Sequence, residues 1–246
     1  MRFGRTVLCV LALLLAAGIP ARAAEQVDLL LVLASDVSRS VDQRKFKLQR
    51  EGYAAALTNP RVVEAIRSGP HGRIAICFVE WSGANSLKLV IDWTLVSDAA
   101  SARAISDQMI ELPRSFADRT SISAGIEFSM VQLERSPFQA TRRTIDVAGD
   151  GTNNSGRDVA QVRDEALAKG VTINGLVILS DTPLPWNPEH TNPPGGLDEY
   201  YRRNVTGGPG AFVMVAENHD SFGQAIVKKM IAEIAWNPPP RPVVMR

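Results

Sequence analysis

One short stretch of the sequence carries an acid and two hydroxyls at alternate positions. Asp36, Ser38 and Ser40 follow an apolar run, residues 28–34, and a helical pattern begins directly after them. The run predicts a strand buried on both faces, as in a parallel sheet, with the three polar side chains at its carboxyl end. In open α/β sheets ligands bind at that edge. Three hard oxygen groups on one tight loop suit a small divalent cation such as Mg²⁺.

The same hydroxyls also fit a simpler role as helix caps. Ser40-x-x-Gln43 matches a capping box at the start of a helix predicted from about Val41 to Leu57. In this helix the apolar side chains share one face, and most of the basic side chains fall on the other. The basic residues are Arg44, Lys45, Lys47 and Arg50. Ser40 can cap the helix, bind a cation, or do both.

Two further polar residues stand at the ends of predicted elements. Thr120 opens a helix that runs to about Glu134, and Asp150 follows a predicted strand, residues 143–148, within Gly-Asp-Gly. Each has a simpler explanation too, because threonine caps helices and aspartate forms turns. The order of the elements nevertheless places both residues at the sheet edge where Asp36 is expected.

The remaining elements predict the sheet that positions these residues. Apolar strands alternate with amphipathic helices, and residues 87–93 return after a short turn as an antiparallel edge strand. We expect an α/β fold with a doubly wound, mostly parallel six-stranded sheet, one antiparallel edge strand and helices on both faces. A long loop rich in Pro and Gly, Thr182 to Gly210, starts at the same sheet edge, and long loops of this kind are usually functional. Within it only Leu197 to Asn204 has a helical pattern.

The chain ends and the composition limit the class of protein. Of 246 residues, 45% are hydrophobic and 22% charged, as in a globular domain. Residues 1–23 have a basic start, a short apolar core and a small-x-small pattern, which predicts a cleaved signal peptide. The alternative is an uncleaved N-terminal anchor. We expect one domain over residues 24–236 and a flexible proline-rich tail over residues 237–246. The mature protein would be periplasmic or secreted, with no membrane span after cleavage of the signal.

The charge, the cysteines and the histidines argue against a nucleic-acid-binding protein, a disulfide-stabilised domain and a zinc site. Loss of the leader removes three arginines and no acids, so the mature chain is nearly neutral and lacks a basic patch for nucleic acid. Cys77, the remaining cysteine, lies in an apolar run, which predicts a buried side chain and no intrachain disulfide. The histidines, His71, His190 and His219, fall in loops without the spacing of zinc ligands.

The positions of these polar residues on their predicted elements make the sequence resemble the von Willebrand factor A (vWA) domain. The metal-ion-dependent adhesion site (MIDAS) of that domain has three segments. They match Asp36-x-Ser38-x-Ser40, Thr120 and Asp150 of this sequence.

Two other segments resemble one subgroup of the vWA superfamily. Tyr200-Tyr201 and the glycine-rich residues 207–213 are similar to bacterial exported proteins of uncharacterised function, the DUF1194-like proteins. The resemblance covers Glu25 to about Ala235, essentially the whole mature chain.

The resemblance implies two kinds of contact with a cation. Ser38, Ser40 and Thr120 would bind it directly. Asp36 and Asp150 would act directly or through water. Mg²⁺ is the expected ion, with Mn²⁺ or Ca²⁺ as substitutes. Because hydroxyl ligands are neutral, the ion would keep much of its charge and attract a carboxylate from outside.

The function expected from the resemblance is therefore divalent-cation-dependent binding of another protein, which supplies an Asp or Glu carboxylate to the metal. The sequence names no catalytic residue. Two alternatives stay open, a metal-assisted hydrolase, for which no general base is evident, and a scaffold domain with an unoccupied site. Arg39, between the two serines, either faces solvent or stands close to the ion.

Several neighbours of the predicted site have simpler expected roles. Asn153 and Asn154 are predicted to form a turn, and the alternative is that they support the metal ligands. Asp118 is predicted to be a solvated loop acid, and the alternative is an extra carboxylate near Thr120. Glu80 is predicted to be a polar residue at the edge of the core, and the alternative is a metal ligand. Trp186 lies in the long proline-rich loop and is a candidate for binding.

Overall fold

The fold is built on a six-stranded sheet, and a computed structural model describes it over residues 24–180 and 183–235. The predicted signal peptide and the tail at residues 237–246 lie outside the described residues and stay predictions. The strands are β1 (Glu25–Gln26), β2 (Leu30–Asp36), β3 (Ile74–Trp81), β4 (Leu87–Val96), β5 (Phe138–Gln139), β6 (Arg143–Gly149), β7 (Thr172–Ile178) and β8 (Val213–Ala216). The helices are α1 (Gln43–Leu57), α2 (Pro60–Arg67), α3 (Ala99–Glu111), α4 (Ile122–Arg135), α5 (Val159–Ala168), α6 (Pro188–Thr191), α7 (Leu197–Asn204) and α8 (Phe222–Ala235).

The strand order confirms the predicted topology. The main sheet runs β4-β3-β2-β6-β7-β8, and all its neighbours are parallel except β3 and β4. The chain moves outward in one direction from β2 and in the other from β6. The carboxyl ends of these two strands are therefore the switch point at which doubly wound sheets bind ligands.

Strand β2 shows why the sheet needs helices on both faces. Leu31 and Leu33 belong to one apolar core, which α1, α3 and α8 cover. Leu30 and Val32 belong to the other core, which α4, α5 and α7 cover. Since side chains alternate along a strand, an uninterrupted apolar run is buried only when both faces are covered.

The N-terminus of α1 corrects one prediction. The helix is capped by Asp42, whose side chain accepts a hydrogen bond from the backbone N–H of Lys45 at 2.8 Å. The predicted capping box at Ser40 is therefore wrong. A carboxylate is a strong N-cap. Because Asp42 caps the helix, the hydroxyl of Ser40 lies before the helix and is not needed as a cap.

The polar face of α1 corrects a second prediction. Arg50 was expected among the exposed basic residues, but its side chain is only 4% exposed. It donates a hydrogen bond to Glu80 at 2.6 Å and another to the backbone oxygen of Met109 at 3.0 Å. Glu80 is fully buried at the end of β3, and a buried carboxylate needs a cation beside it.

Short elements account for the remaining differences. The long loop contains a single helical turn, α6, in addition to the predicted helix Leu197–Asn204, which has the predicted bounds. Residues 181 and 182 lie outside the described part of this loop. Strands β1 and β5 form a small parallel sheet that the sequence patterns did not predict. No helix in the described ranges has the length and apolar character needed to cross a membrane.

Candidate metal centre

Asp36 ends β2 and is fully buried, yet hydrogen bonds satisfy only one of its carboxylate oxygens. Its Oδ1 accepts a hydrogen bond from the backbone N–H of Ser38 at 2.7 Å. Its Oδ2 has no hydrogen-bond partner among the described residues. Burial raises the pKa of this carboxyl to about 8, and the charge of Asp150 adds to the increase. Because an unpaired buried oxygen costs free energy, Oδ2 favours a ligand that supplies positive charge.

A series of side-chain oxygens connects the loop after β2 to the loop after β6. Ser38 Oγ lies 3.1 Å from Ser40 Oγ, and Ser40 Oγ donates a hydrogen bond to Asp150 Oδ1 at 2.5 Å. All three side chains are buried. The adjacent strands thus bring four of the five predicted site residues, including Asp36, into one connected group.

Thr120 reaches the same edge from the loop before α4. Ser121 caps that helix by accepting a hydrogen bond from Ala124, so the interpretation of Thr120 as the cap is wrong. Thr120 and Ser40 both line a surface cleft of about 370 Å³. Thr120 Oγ1 also lies 3.2 Å from Nε2 of His190.

Two asparagines hold Thr120 and the start of α4 in place. The backbone N–H of Thr120 donates to Asn154 Oδ1 at 3.0 Å, and its backbone oxygen accepts from the N–H of Asn154 at 2.9 Å. Asn153 Oδ1 accepts a hydrogen bond from the N–H of Ser123 at 3.1 Å. These side chains do more than form the predicted turn, because they tie the loop after β6 to the threonine.

Two buried histidines flank the site, and the sequence patterns did not reveal them. His190 comes from α6, and its Nδ1 lies 3.2 Å from Thr152 Oγ1. His219 comes from the loop before α8, and its Nε2 lies 4.0 Å from Asp150 Oδ2. Burial lowers the pKa of both imidazoles, that of His219 to about 4, so both are neutral near pH 7.

Two arginines near the loop after β2 differ in their contacts with it. The side chain of Arg39 is 74% exposed, and its closest acid is the half-exposed Asp118 at 3.9 Å. Arg39 therefore faces solvent. Arg114, from the loop after α3, donates hydrogen bonds to the backbone oxygens of Val37 and Ser38 at 2.6 and 2.7 Å. Arg114 thus fixes the backbone of the serine loop.

Lys45 is a third cation near the site, and its predicted position on the outer face of α1 is wrong. Its Nζ donates a hydrogen bond to the backbone oxygen of Ser40 at 2.8 Å. The same Nζ lies 3.5 Å from Asp150 Oδ2. Lys45 is close to the start of the helix, where a long side chain can bend back over the preceding loop.

Gly149 allows the backbone of β6 to pass close to Asp36. A Cβ atom at this position would lie 2.5 Å from the hydroxyl of Tyr201 and 3.4 Å from Asp36 Oδ2. The first distance is far below a normal contact, so a larger residue would push the tyrosine or the strand away. The Tyr201 hydroxyl is itself buried without a hydrogen-bond partner among the described residues.

The donor set fits a hard divalent cation. The site offers two buried carboxylates and three buried hydroxyls, and oxygen is the donor that Mg²⁺ prefers. Among the described residues no group of three or more His, Cys, Asp or Glu side chains is arranged to hold a metal. A cation at this edge would therefore depend on the hydroxyls as well as on the carboxylates.

Solved structures of low sequence identity share the fold. Proximal thread matrix protein 1 (PTMP1) from the mussel byssus has a TM-score of 0.60 and 15% identity over 89% of this chain and 48% of its own. A second PTMP1 structure, with a zinc-occupied MIDAS motif, has a TM-score of 0.58 and 14% identity over 84% and 45%. The von Willebrand factor type A structure from Catenulispora acidiphila has a TM-score of 0.57 and 12% identity over 85% and 43%. This chain thus spans about half the length of those proteins.

A family model also matches most of the chain. No curated protein sequence matches this chain significantly. The model described as "Protein of unknown function (DUF1194)" matches residues 26–238, almost all of the part that follows the predicted leader. The chain therefore has a vWA-like fold and belongs to the DUF1194 family.

Proposed function

We propose that this protein is an exported binding domain whose MIDAS mediates divalent-cation-dependent interaction with another protein. Ser38, Ser40 and Thr120 bind the cation directly. Asp36 and Asp150 act directly or through water. Mg²⁺ is the proposed ion, and Mn²⁺ or Ca²⁺ can replace it. When bound, the ion supplies an electrophilic centre for a carboxylate.

The unpaired oxygen of Asp36 carries this proposal. Two buried acids, Asp36 and Asp150, lie close enough for the charge of one to raise the pKa of the other. Lys45 contacts Asp150 at 3.5 Å, and the charge of Arg114 offsets the increase in the pKa of Asp36 only in part. A divalent cation would balance both carboxylates and pair with the unsatisfied oxygen.

The cleft beside the site supports binding of a partner. Its lining includes the buried residues Ser40, Thr120 and His190 and the exposed residues Arg39 and Arg119. An Asp or Glu side chain of a partner protein can enter such a cleft toward the hydroxyls. The zinc-occupied MIDAS of PTMP1 supports a metal-dependent role for a fold of this kind. The predicted signal peptide supports a periplasmic or secreted location.

Calorimetric titration with Mg²⁺ tests the metal site. In the wild type, Mg²⁺ at a hundred times its Kd should raise the free energy of unfolding by about 2.7 kcal/mol. The variant Asp36→Ala should lose the binding heat and this stabilisation. It should stay folded, as judged by circular dichroism, because the change removes a buried acid whose pKa is raised by burial and by the charge of Asp150.

A matched control separates the site from general electrostatics. Asp220 is an exposed acid paired with Arg44 on the surface, and Asp220→Ala should leave Mg²⁺ affinity unchanged. Unchanged Mg²⁺ affinity in Asp36→Ala would contradict the assignment. An unchanged melting temperature of the wild type in Mg²⁺ and in EDTA would favour the alternative of a scaffold with an unoccupied site.

One observation favours a second candidate, a metal-assisted hydrolase. His190 lies 3.2 Å from Thr120 Oγ1 and is neutral near pH 7, so it can accept a proton at the site. Hydrolysis of generic phosphate or ester substrates in Mg²⁺, lost in EDTA and in His190→Gln, would support catalysis. Metal binding without hydrolysis in the same assays would leave the binding function as the better explanation.

A further inference from the structure

A second group of buried charges lies away from the metal centre, between the sheet and α8. Lys229 and Glu233 of α8 face Asp146, in the middle of β6. Lys229 and Asp146 are fully buried, and Glu233 is 2% exposed. The proposed function uses none of these three side chains.

The amine of Lys229 stands between the two carboxyl groups. Its Nζ lies 2.7 Å from Asp146 Oδ1 and also contacts Glu233 Oε1. Glu233 Oε1 accepts a further hydrogen bond from Asn174 Nδ2 at 2.8 Å. Neither oxygen of Asp146 has a geometrically well-formed hydrogen bond among the described residues, so the ion pair with Lys229 is its polar contact. Asp146 is thus held against the amine alone, while Glu233 is held from two sides.

The surroundings of the group are apolar. Nζ of Lys229 lies 5.4 Å from the centre of the Phe212 ring. Ile226 and Met230 of α8 pack into the core on the same face of the sheet. Burial raises the pKa of Asp146 to about 7, and the charge of Glu233 contributes to the increase. Burial thus favours the protonated form of Asp146.

Burial of the charges of Lys229, Asp146 and Glu233 costs free energy. A buried ion pair is often no more stable than uncharged groups of similar shape, because each ion loses its hydration. Condensation of an ammonium with a carboxylic acid next to a carboxylate leaves an amide, a neutral acid and water. The reaction would remove both formal charges from the core.

We propose that Lys229 and Asp146 become joined by an isopeptide bond inside the folded protein. Glu233 accepts a proton from the ammonium of Lys229, and the free amine attacks Cγ of the protonated Asp146. The Nζ–Cγ bond forms and a Cγ–Oδ bond breaks. The departing hydroxyl takes a proton that Glu233 relays from the nitrogen, and it leaves as water. Glu233 ends as a neutral acid, and no group is oxidised or reduced.

The bond would tie the last described helix to the centre of the sheet. Strand β6 lies between β2 and β7, so the link would hold α8 to a strand that is paired on both sides. Reversible opening of α8 from the sheet would then no longer be possible.

Mass spectrometry of the purified, fully denatured full-length protein tests the proposal. The wild type should be lighter than its sequence by one water molecule. Trypsin should release a branched peptide that joins the segment starting at Thr144 to the segment starting at Lys229. Lys229→Met and Asp146→Ala should both have the full mass of their sequences, and Glu233→Gln should remain largely unlinked.

Two further variants keep the result interpretable. Asp146→Asn should lose ammonia in place of water, because the amine then displaces an amide nitrogen. Lys228→Met, on an exposed neighbour of Lys229, should lose water as the wild type does. A wild type with the full mass would overturn the proposal. A water loss that persists in Lys229→Met, such as cyclisation at Asp150-Gly151, would overturn it too.

Discussion

Strand β6 leads to two buried aspartates with different surroundings. Asp146 lies within the strand, beside a second acid, and a fully buried lysine contacts both. Asp150 lies just after the strand, and the partly exposed Lys45 contacts it at 3.5 Å while Asp36 keeps an unpaired oxygen. The first pair of acids is balanced inside the chain. The second pair is balanced only in part and borders a cleft, which is what a site for an external cation requires.

Removal of the internal cation should give the largest effect. Lys229→Met leaves two buried acids without a cation and should lower the free energy of unfolding by about 3–5 kcal/mol. Lys45→Met, which removes the partly exposed cation beside Asp150, should cost about 1 kcal/mol or less. Urea unfolding in EDTA measures both values. Equal losses in the two variants would break the distinction between the two pairs.

The pH dependence of stability tests the two acids, Asp36 and Asp150, at the candidate metal site. The pKa of Asp36 rises from 3.8 to about 8 on folding, so the folded state binds this proton more tightly than the unfolded chain. Without metal, this group should therefore reduce stability as the pH rises from about 4 to about 8. Asp36→Asn should remove that loss and exceed the wild type in stability at about pH 8.

The measurement is urea unfolding of wild type and Asp36→Asn at the two ends of this pH range, in EDTA and in saturating Mg²⁺. Mg²⁺ should restore the wild type at the higher pH and have no effect on the variant. If the wild type gained stability relative to the variant as the pH rose in EDTA, the sign of the shift would be wrong.

The smallest effects should come from the exposed cation at the cleft. Arg39→Ala should change the free energy of unfolding by about 0.5 kcal/mol or less and leave Mg²⁺ affinity unchanged, because the side chain faces solvent. Arg114→Ala removes two hydrogen bonds to the serine loop and should cost about 2 kcal/mol. Calorimetry with Mg²⁺ and thermal unfolding of both variants check this contrast. A large loss of Mg²⁺ affinity in Arg39→Ala would place its charge close to the ion.

Periodicity predicted most of the fold, because uninterrupted apolar runs and amphipathic helices have few ways to pack. Residues 197–204 were predicted with their observed bounds, even within the long loop. The capping-box pattern gave the wrong N-cap for α1, because two residues that can cap a helix lie close together and Asp42 is the one that does so. The turn α6 did carry a signal, since Pro188 follows Asn187 and proline favours the first position of a helix.

The sequence predicted the residues on the loops after β2 and β6 better than the residues around them. Local spacing identifies Asp36, Ser38 and Ser40 as a group, because they share one loop. His190 and His219 arrive from separate loops, and no spacing rule connects them to Asp150. A helical projection placed Lys45 outside, since it contains no information on the acid that the neighbouring strand brings close.

The hydrogen bond between Ser40 and Asp150 joins residues that are 110 positions apart in the chain. Contacts between distant segments close large loops of unfolded chain, and they form slowly and late. The pairing of β2 with β6 must therefore precede any affinity for a cation at this edge. An ion that binds there would act on the completed fold and slow its unfolding, and it would give no help to the early steps of folding.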